Sequence, residues 1–316
     1  QVLGEAQRFA PDLAAILSVL GVWRVEGEGP GGGLACRLAG GGAAAELAGC
    51  LGAHRSLVLT GAGISTDSGI PDYRGVHRRA APPKPMTFQE FVGSEGARRR
   101  YWARSAVGWA AMAATRPNPS HAAVTELERL GLTAGVVTQN VDGLHRRAGT
   151  RSLVELHGDL ALVTCLRCKT RETRESFQAR LLELNPAFAG LRAERLPDGD
   201  AALPTGLEDG FEVPVCTVCG GVLKPDVIFF GENVPRARVE QAMRWLEGAD
   251  ALLVLGSSLE VFSGYRFVKA AVVAGKPVAI VNQGPTRGDA AAALRLEAGL
   301  GEVLPAAVAL AAGGAA

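Results

Sequence analysis

The chain has 316 residues, with 47% hydrophobic and 21% charged side chains and a formal net charge of +1 at pH 7. This size and composition are typical of a soluble globular protein with one large domain and a smaller appendage. The near-neutral charge gives no reason to expect nucleic acid as a partner. No membrane association is expected, because the longest apolar run near the start lies between Asp12 and Arg24 and is shorter than the roughly 20 residues of a membrane span.

The first 46 residues predict an N-terminal extension. Residues 27–45 are rich in Gly, Ala and Leu and indicate a loose linker. The sequence starts at Gln1 rather than Met, and no stretch of it demands a targeting peptide. Six cysteines are too few for a disulfide-built secreted scaffold. Cys36 and Cys50, which stand outside two closely spaced cysteine pairs, are therefore expected to be free thiols in a reducing compartment.

A glycine turn after a short apolar strand is the first strong functional signal. Residues 57–59 (Leu-Val-Leu) predict a buried parallel strand, and Gly61 and Gly63 follow at once. Glycines at this place let the backbone turn sharply and bring its N–H groups close to an anion. The hydroxyls and carboxylate of residues 65–68 then stand where a helix could begin. This order predicts a site for a phosphorylated cofactor such as a dinucleotide. Because the third glycine of G-x-G-x-x-G is missing, an ordinary turn is the alternative.

The residues after this turn differ from those of an ordinary dehydrogenase. Asp72, Tyr73 and Arg74 follow directly, where a dehydrogenase would continue its crossover helix toward a second strand that ends in Asp or Glu. Prolines at positions 71, 82, 83 and 85 do not fit the interior of a helix. We therefore expect a loop over the cofactor, and a dehydrogenase is disfavoured.

The later segments alternate between apolar strands and helical patterns. Buried strands are predicted over residues 135–138, 153–156, 227–230, 251–255 and 278–281. Helices are predicted over residues 47–54, 86–109, 122–130, 177–184, 239–246 and 265–274, with Ser120 as the candidate cap of the third helix. Strand, polar tip and helix recur, which is the pattern of an α/β fold with a doubly wound, Rossmann-like parallel sheet.

A long insert interrupts this alternation between residues 160 and 222. Two Cys-x-x-Cys pairs bracket it, Cys165 with Cys168 and Cys216 with Cys219. Two such pairs are the pattern of a Cys₄ zinc site, in which each pair turns both sulfurs toward one ion. Four protein ligands leave no position for water, so one structural Zn²⁺ ion without a catalytic part is expected.

Polar residues follow two neighbouring strands at the predicted ligand edge. Gln139, Asn140 and Asp142 come after the strand over residues 135–138, and His157 comes after the next strand. An imidazole with its ordinary pKa of about 6.5 suits proton transfer at neutral pH, so His157 is the candidate general base. From residue type alone, a lone histidine is more often a structural side chain, and an Asp before a glycine is often part of a turn.

These motifs together resemble the signature of the sirtuins, the NAD-dependent protein deacylases. The matches are GAGISTDSGIPDYRG over residues 61–75, TQNVD over 138–142, ELHG over 155–158, the two cysteine pairs, KPDVIFFGE over 224–232, GSS over 256–258 and NQG over 282–284. The resemblance covers residues 47–305. YWAR over 101–104, PNP over 117–119 and GPTR over 284–287 are most similar to the class II branch, which has bacterial members and a mitochondrial animal member.

The resemblance implies a deacylase reaction with NAD as co-substrate. Nicotinamide leaves the ribose and an acyl-lysine carbonyl oxygen takes its place. His157 then deprotonates a ribose hydroxyl, and the acyl group migrates to give free lysine and O-acyl-ADP-ribose. The implied catalytic residues are His157, Asn140 and Asp142. The implied NAD contacts are Gly61, Ala62, Gly63, Ser65, Thr66, Asp72, Tyr73, Arg74, Gln139, Asn140, Val141, Asp142, Gly256, Ser257, Ser258, Asn282, Gln283, Gly284 and Leu300.

The resemblance also implies how the chain divides and how its substrate binds. An acylated-lysine protein would bind as an added strand between two domains, against Val227, Phe229, Phe230, Gly231, Leu259 and Val261. The Rossmann-like NAD-binding domain would comprise residues 47–75, 117–159 and 223–311. The smaller domain would comprise a helical module, 76–116, and a zinc-binding module, 160–222. A monomer is expected, in the cytoplasm of a bacterium or in the mitochondrial matrix if the source is eukaryotic.

Two other functions stay open at this point. A mono-ADP-ribosyltransferase would use the same NAD site but would deliver the ribose to a protein side chain. A non-enzymatic NAD sensor, with zinc stabilising its fold, would bind NAD without releasing nicotinamide. The preferred acyl group is open too, because class II members, which share Tyr73 where many sirtuins have Phe, differ in acyl preference.

Overall fold

The structure is a computed structural model that describes residues 42–72, 85–194, 196, 199–204 and 206–313, together with the backbone of residues 24–28 and 34–37. Its strands are β1 (Arg24–Glu28), β2 (Leu34–Arg37), β3 (Ser56–Thr60), β4 (Thr133–Thr138), β5 (Leu153–Glu155), β6 (Gly158–Cys165), β7 (Arg171–Thr173), β8 (Leu223–Val227), β9 (Ala251–Leu255), β10 (Val278–Val281) and β11 (Leu294–Leu296). Its α-helices are α1 (Ala43–Ala53), α2 (Phe88–Gly93), α3 (Glu95–Ala114), α4 (Pro119–Arg129), α5 (Leu144–Ala148), α6 (Arg174–Leu184), α7 (Arg236–Glu247), α8 (Phe262–Val273) and α9 (Leu300–Gly313).

Six parallel strands form the central sheet of the larger domain. Their order is β11-β10-β9-β3-β4-β5, and each neighbouring pair is parallel. All five residues of β3 and of β9 are buried, as expected for strands that helices cover on both faces. One half of the sheet is built outward from β3 and the other half outward from β9, so the switch point lies between these two strands. The predicted doubly wound parallel sheet is confirmed.

Two helical layers cover this sheet. On one face, α1, α4 and α9 bury Leu47, Leu127 and Leu304 against the strands. On the other face, α7 and α8 bury Leu246 and Phe267. Burial of one such side chain contributes about 1.5–3 kcal/mol relative to exposure. The two layers therefore fix the positions of the strand ends, where the polar residues lie.

A second, antiparallel sheet with the order β7-β6-β8 forms the base of the smaller domain. Helices α2, α3 and α6 contribute to an aromatic core beside it, in which Trp102 and Phe177 are fully buried with ring centroids 4.5 Å apart. The guanidinium of Arg174 is also buried and lies 5.5 Å from the Trp102 ring centroid, and it donates to the Ser105 carbonyl at 3.2 Å. This small core thus contains a cation that is held by aromatic faces and hydrogen bonds.

The structure corrects the predicted strand over residues 227–230. The strand there is β8, which ends at Val227 and pairs antiparallel with β6. It belongs to the three-stranded sheet β7-β6-β8 and not to the parallel sheet. The apolar run continues beyond the strand because Phe229 enters the aromatic core of the smaller domain.

Two further predictions about local structure were wrong. The loose linker expected over residues 27–45 contains the end of β1, the whole of β2, which pairs antiparallel with β1, and the first turn of α1. The cap of α4 is Asn118 rather than Ser120, because the Asn118 side-chain oxygen accepts from the N–H groups of Ser120 and His121 at 2.9 and 3.3 Å. In the described part of the chain, no helix is both long and apolar enough to span a bilayer.

Candidate active site

A cavity of about 810 Å³ opens at the strand ends of the parallel sheet and is lined by both domains. We call it the cleft. Its walls include every predicted site residue outside the zinc cluster that the structure describes, namely Gly61, Ala62, Gly63, Ser65, Thr66, Asp72, Gln139, Asn140, Val141, Asp142, His157, Val227, Phe229, Phe230, Gly231, Gly256, Ser257, Ser258, Leu259, Val261, Asn282, Gln283, Gly284 and Leu300. The two remaining predicted NAD contacts, Tyr73 and Arg74, lie outside the described residues, as does most of the predicted loop between Pro71 and Pro85.

The glycine turn after β3 packs directly against the end of β9. Gly61 donates its N–H to the Leu255 carbonyl at 3.1 Å, and Gly63 donates to the Gly256 carbonyl at 2.8 Å. A Cβ atom at Gly61 would lie 2.7 Å from the Gly256 oxygen, and one at Gly63 would lie 2.8 Å from the Gly256 Cα. Gly256 has a φ of +63°, a conformation that favours glycine. The close approach of the two strand ends therefore requires all three glycines.

Ser65, Asn140 and Asp142 form one hydrogen-bonded group on the cleft wall. Asn140 Nδ2 donates to Ser65 Oγ at 3.1 Å, and Ser65 Oγ donates to Asp142 Oδ2 at 2.7 Å. Asn140 Nδ2 also donates to the Gly61 carbonyl at 3.1 Å, which connects the group to the glycine turn. Burial raises the pKa of Asp142, and hydrogen bonds from the Leu144 N–H and from Ser65 oppose that shift. Asp142 thus borders the cleft and also accepts the Leu144 N–H two residues on, which is the turn that its place before Gly143 allows.

His157 follows β5 and is held by two hydrogen bonds. Its Nδ1 lies 2.8 Å from the Gln139 carbonyl oxygen, and its Nε2 lies 2.7 Å from Ser263 Oγ. A carbonyl oxygen only accepts, so in the neutral ring Nδ1 carries the proton and Nε2 keeps the lone pair. Burial, aided by the charges of Arg238 and Arg266, lowers the pKa of His157 to about 4. The ring is therefore neutral at pH 7 and able to accept a proton at Nε2.

The tips of β9 and β10 complete the wall of the cleft. Gln139 Nε2 donates to Ser257 Oγ at 2.7 Å, which links the tips of β4 and β9. Asn282 is buried, and its Nδ2 donates to the Gln283 and Gly284 carbonyls at 2.9 and 3.0 Å, so it closes the loop after β10. Leu300 is the first residue of α9, whose N-terminal end therefore borders the cleft, where exposed N–H groups favour an anion.

The segment after β8 forms the edge of the smaller domain along the cleft. Ile228 donates its N–H to the His157 carbonyl at 2.8 Å, and Phe88 donates to the Phe230 carbonyl at 2.9 Å. Phe229 is 8% exposed and packs in the aromatic core, whereas Phe230 is 44% exposed. Core packing thus accounts for Phe229 but leaves the Phe230 ring available to a ligand.

An ion pair between a buried lysine and a half-buried glutamate fixes this segment to β8. Lys224 Nζ lies 3.0 Å from Glu232 Oε2, and the same oxygen accepts the Phe229 N–H at 3.0 Å. Burial lowers the pKa of Lys224, and the Glu232 carboxylate opposes that shift. The Lys224 ammonium also lies 4.6 Å from the Phe229 ring centroid. The ion pair therefore holds Phe229 twice, by its backbone through Glu232 and by its ring through Lys224.

The four cysteines of the two pairs converge as predicted. Their sulfurs all lie within 4.8 Å of one another, with Cys165 Sγ 3.5 Å from Cys219 Sγ and Cys168 Sγ 3.7 Å from Cys216 Sγ. Tetrahedral zinc with bonds of about 2.3 Å requires sulfur–sulfur separations of about 3.8 Å, so these residues fit the ion. A Cβ atom at Gly221 would lie 2.9 Å from Cys165 Sγ, so a side chain there would crowd the cluster.

Sequence reasoning missed a pair of buried histidines behind the Ser65 group. His121 is 0% and His145 2% exposed, and their ring centroids lie 4.9 Å apart. His121 Nε2 lies 3.5 Å from Ser65 Oγ, and His145 Nε2 lies 3.0 Å from Thr60 Oγ1. Burial lowers the pKa of His121 to about 4 and that of His145 to about 3, so both rings are neutral at pH 7. The two histidines are 24 positions apart in sequence and no local pattern relates them. Their contact joins α4 to α5.

Sequence reasoning also missed Ser263. The sequence predicts a helix from residue 265, whereas α8 begins at Phe262 and brings Ser263 to the ring of His157. The contact spans 106 positions in sequence, and no local pattern indicates it. One feature of the sequence could have indicated it. A helix that begins soon after the polar end of a parallel strand has its first turn at the ligand-binding edge of the sheet.

Comparison with known sequences identifies relatives over most of the chain. Residues 61–263 match the Sir2 family model. The chain is 52% identical over 251 residues to the NAD-dependent protein deacetylase of Xanthomonas campestris pv. campestris, covering 79% of this chain and 86% of the relative. It is 53% identical over 260 residues to the NAD-dependent protein deacetylase 1 of Streptomyces coelicolor, covering 82% and 87%. It is 50% identical over 253 residues to the NAD-dependent protein deacylase Sirt4 of Drosophila melanogaster, covering 79% and 81%.

Solved structures give the same picture. A complex of Sir2 with a p53 peptide and NAD⁺ superposes with a TM-score of 0.67 at 31% identity, covering 85% of this chain and 97% of that one. A complex of a Sir2 variant with a deacetylated p53 peptide and 3′-O-acetyl ADP-ribose gives a TM-score of 0.67 at 31% identity, covering 83% and 95%. Both complexes contain a peptide together with NAD⁺ or a product of it.

Proposed function

We infer that this chain, which belongs to the Sir2 family, is an NAD-dependent protein lysine deacylase that transfers the acyl group of an acyl-lysine to ADP-ribose and releases nicotinamide. One observation supports the assignment of residues. The glycine turn, the Ser65–Asn140–Asp142 group and a neutral His157 all line one cleft. These are the groups that such a reaction needs for phosphate binding, for stabilising charge on a sugar and for removing a proton.

We assign NAD to the part of the cleft that the parallel sheet provides. Its phosphates are expected at the glycine turn and at the Gly256–Ser258 tip, where backbone N–H groups and hydroxyls favour anions. When nicotinamide leaves, positive charge develops on the ribose, and Asp142 with the dipole of Asn140 would stabilise it. Both Asp142 oxygens accept hydrogen bonds, as a carboxylate does.

His157 is the proposed general base. Its lowered pKa keeps it neutral at pH 7, and its Nδ1 hydrogen bond leaves the lone pair on Nε2. Removal of a proton from a ribose hydroxyl would let that oxygen attack the acyl carbon, and the acyl group would move to the sugar. A positioned general base of this kind contributes typically about 10²–10⁴-fold to the rate.

The peptide that carries the acyl-lysine is expected to bind as an added strand. It would lie between Val227–Gly231 of the smaller domain and Leu259–Val261 of the larger domain, which line the same cleft. The Phe230 ring offers apolar contact there, and the Lys224–Glu232 ion pair holds the Phe229 backbone beside it. The structural zinc would take part in no step, since four thiolates complete its coordination.

Mass spectrometry of acyl-lysine peptides incubated with the protein and NAD tests this function. The expected products are free lysine peptide, nicotinamide and O-acyl-ADP-ribose whose mass follows the acyl group supplied. A panel of acyl groups of rising length also identifies the preferred one, and acetyl is expected among the groups removed, since the Xanthomonas and Streptomyces relatives are named deacetylases. Absence of O-acyl-ADP-ribose with every peptide would contradict the proposal.

The same incubation separates the alternative reactions. An ADP-ribosyltransferase would leave label from adenine-labelled NAD on protein, and the names of the relatives do not favour it. An NAD sensor would bind NAD without forming nicotinamide.

For location, we propose the cytoplasm of a bacterial cell, because a thiolate zinc site and a free Cys50 suit a reducing compartment. A monomer without nucleic-acid or membrane partners remains a prediction.

A further inference from the structure

We propose that Ser263 is a catalytic proton relay between the ribose hydroxyl and His157. The inference rests on the proposed function of the cleft and concerns the path of the proton to the base. It starts from the observation that the lone pair of His157 is already engaged. Ser263 Oγ lies 2.7 Å from Nε2, and Nδ1 is bound to the Gln139 carbonyl, which only accepts.

The two hydrogen bonds of His157 determine which group donates. A neutral imidazole has one N–H and one acceptor nitrogen. Since the Nδ1 proton is used toward Gln139, the hydroxyl of Ser263 must be the donor to Nε2. A ribose hydroxyl therefore finds the lone pair of His157 occupied. The oxygen of Ser263 has two lone pairs of its own, and Ser263 lines the cleft, so it is able to accept that proton.

The position of Ser263 is fixed by the packing of α8. Ser263 is buried, at 9% exposure, and is the second residue of this helix. The next residue, Gly264, packs so closely on Gln139 that a Cβ atom there would lie 2.4 Å from Gln139 Oε1. The carbonyl of the same Gln139 holds His157. The relay, the base and the group that orients the base therefore form one packed unit.

The proposed step balances without an oxidant or another reactant. The ribose O–H bond breaks as its proton moves to Ser263 Oγ, and the original Ser263 O–H bond breaks as that proton moves to His157 Nε2. Ser263 is a hydroxyl again after the step, and His157 is an imidazolium. The electron pair left on the ribose oxygen forms the new bond to the acyl carbon. The carbon–nitrogen π bond of that carbon breaks at the same time, and its electron pair moves to the lysine nitrogen.

Replacement of the hydroxyl tests the relay. We expect Ser263→Ala to reduce turnover of an acyl-peptide by about 10- to 100-fold, since general base catalysis is worth about 10²–10⁴-fold and water would partly replace the relay. Ser263→Thr keeps a hydroxyl and should restore most of the turnover. Tyr265→Phe, which removes a hydroxyl from the same helix outside the cleft, is the matched control and should leave turnover unchanged.

Nicotinamide exchange separates the relay from a structural role. Incorporation of labelled nicotinamide into NAD in the presence of acyl-peptide reports the step before proton removal, so Ser263→Ala should keep it at the wild-type rate. Equal loss of exchange and turnover would overturn the proposal, and so would unchanged turnover. A wild-type protein with neither exchange nor acyl transfer would instead contradict the proposed function of the cleft.

Nitrogen NMR of the ligand-free protein gives a readout that does not depend on turnover. Wild type should show His157 as the tautomer protonated at Nδ1, with a pKa of about 4. A donor to Nε2 favours the neutral ring, so in Ser263→Ala the pKa of His157 should rise. An unchanged pKa, or a wild-type ring protonated at Nε2, would show that Ser263 does not donate to the base and would overturn the relay.

Discussion

The two sheets that border the cleft are stabilised by different means. The parallel sheet lies between two helical layers, and its strands β3 and β9 are buried along their whole length. The antiparallel sheet has only three strands, and the first and last residues of its edge strand β7 are exposed. In the larger domain, buried strands fix the positions of the residues at their ends. In the smaller domain, less of the strand surface is buried.

The insert between α6 and β8 shows this difference most clearly. In the described residues between Asn185 and Val222, the helical structure is one short 3-10 helix, Pro186–Phe188, and no strand is present. Val215 and Val218 beside the second cysteine pair are 58% and 68% exposed. Leu196 and Phe211 are buried, but they are not part of a strand or helix, so the segment needs a further source of order, which the Cys₄ cluster provides. The comparison therefore predicts that the two domains fail under different treatments.

Loss of zinc should have the largest effect, and it should act on the smaller domain. We expect Cys165→Ser to remove most of the metal and to unfold the zinc module, because structural zinc contributes on the order of 10 kcal/mol to such modules. Zinc content per chain and hydrogen exchange of β6 and β8 would measure this. Cys50→Ser is the control, since Cys50 is a free thiol outside the cluster. Full zinc content and activity in Cys165→Ser would refute the Cys₄ site.

Replacement of the base should abolish chemistry while both domains stay folded. We expect His157→Ala to reduce acyl transfer by about 10²–10⁴-fold, the usual worth of a general base. NAD affinity should change little, because the glycine turn and the Ser65 group make no hydrogen bond to this ring. Calorimetric NAD titration beside single-turnover acyl transfer would separate the two effects. Lost NAD binding with normal transfer per bound complex would contradict the assignment.

The same division explains how much the sequence predicted. The strands of the larger domain are short apolar runs that end in polar residues, so their local pattern was sufficient to place Asn140, Asp142 and His157 at one edge. The spacing of the cysteines was sufficient for the metal site, because ligand geometry depends on few residues. In both cases a local pattern carries the information.

The features that were missed depend on packing between distant segments. The apolar residues 227–230 predict a strand of the parallel sheet. Phe229 is indeed buried, but it is buried by the aromatic core of the smaller domain and not by neighbouring strands. Ser263 meets His157 only because Gly264 lets α8 approach Gln139. The contact between His121 and His145 likewise joins two helices. Such contacts have no periodic signature in a single sequence.

Acid should weaken the larger domain, in contrast to zinc removal. The pKa values of His121, His145 and His157 lie near 4, 3 and 4, below the ordinary value of about 6.5. Between these values and pH 6.5 the unfolded chain binds more protons, so stability present above pH 6.5 should fall as the pH drops toward 4. The full loss is on the order of 3 kcal/mol per histidine.

Denaturant unfolding from pH 7.5 to 4.5 would measure this slope, with zinc content followed alongside to separate protonation of the thiolates. His145→Gln should flatten the slope, since one buried titrating ring is removed. His54→Gln, at the end of α1 and outside the cleft, is the control and should leave the slope unchanged. Burial raises the pKa of Glu155 to about 7, which opposes the slope over the same range, so the comparison of wild type with His145→Gln is the decisive one. Equal slopes in the two proteins would show that His145 does not carry a lowered pKa.

The smallest expected effect concerns the edge that the smaller domain presents to the peptide. Phe230→Ala should raise the KM for an acyl-peptide by about 3- to 10-fold, because truncating an aromatic contact of this kind costs about 1 kcal/mol. The KM for NAD and the rate at saturating peptide should stay close to wild type, since the ring is 44% exposed and the strand tips of the larger domain do not depend on it. Leu310→Ala, on α9 and outside the cleft, removes an apolar side chain of comparable exposure, 55%, and is the matched control. An equal fall in NAD affinity would mean that the two domains do not divide the substrates between them.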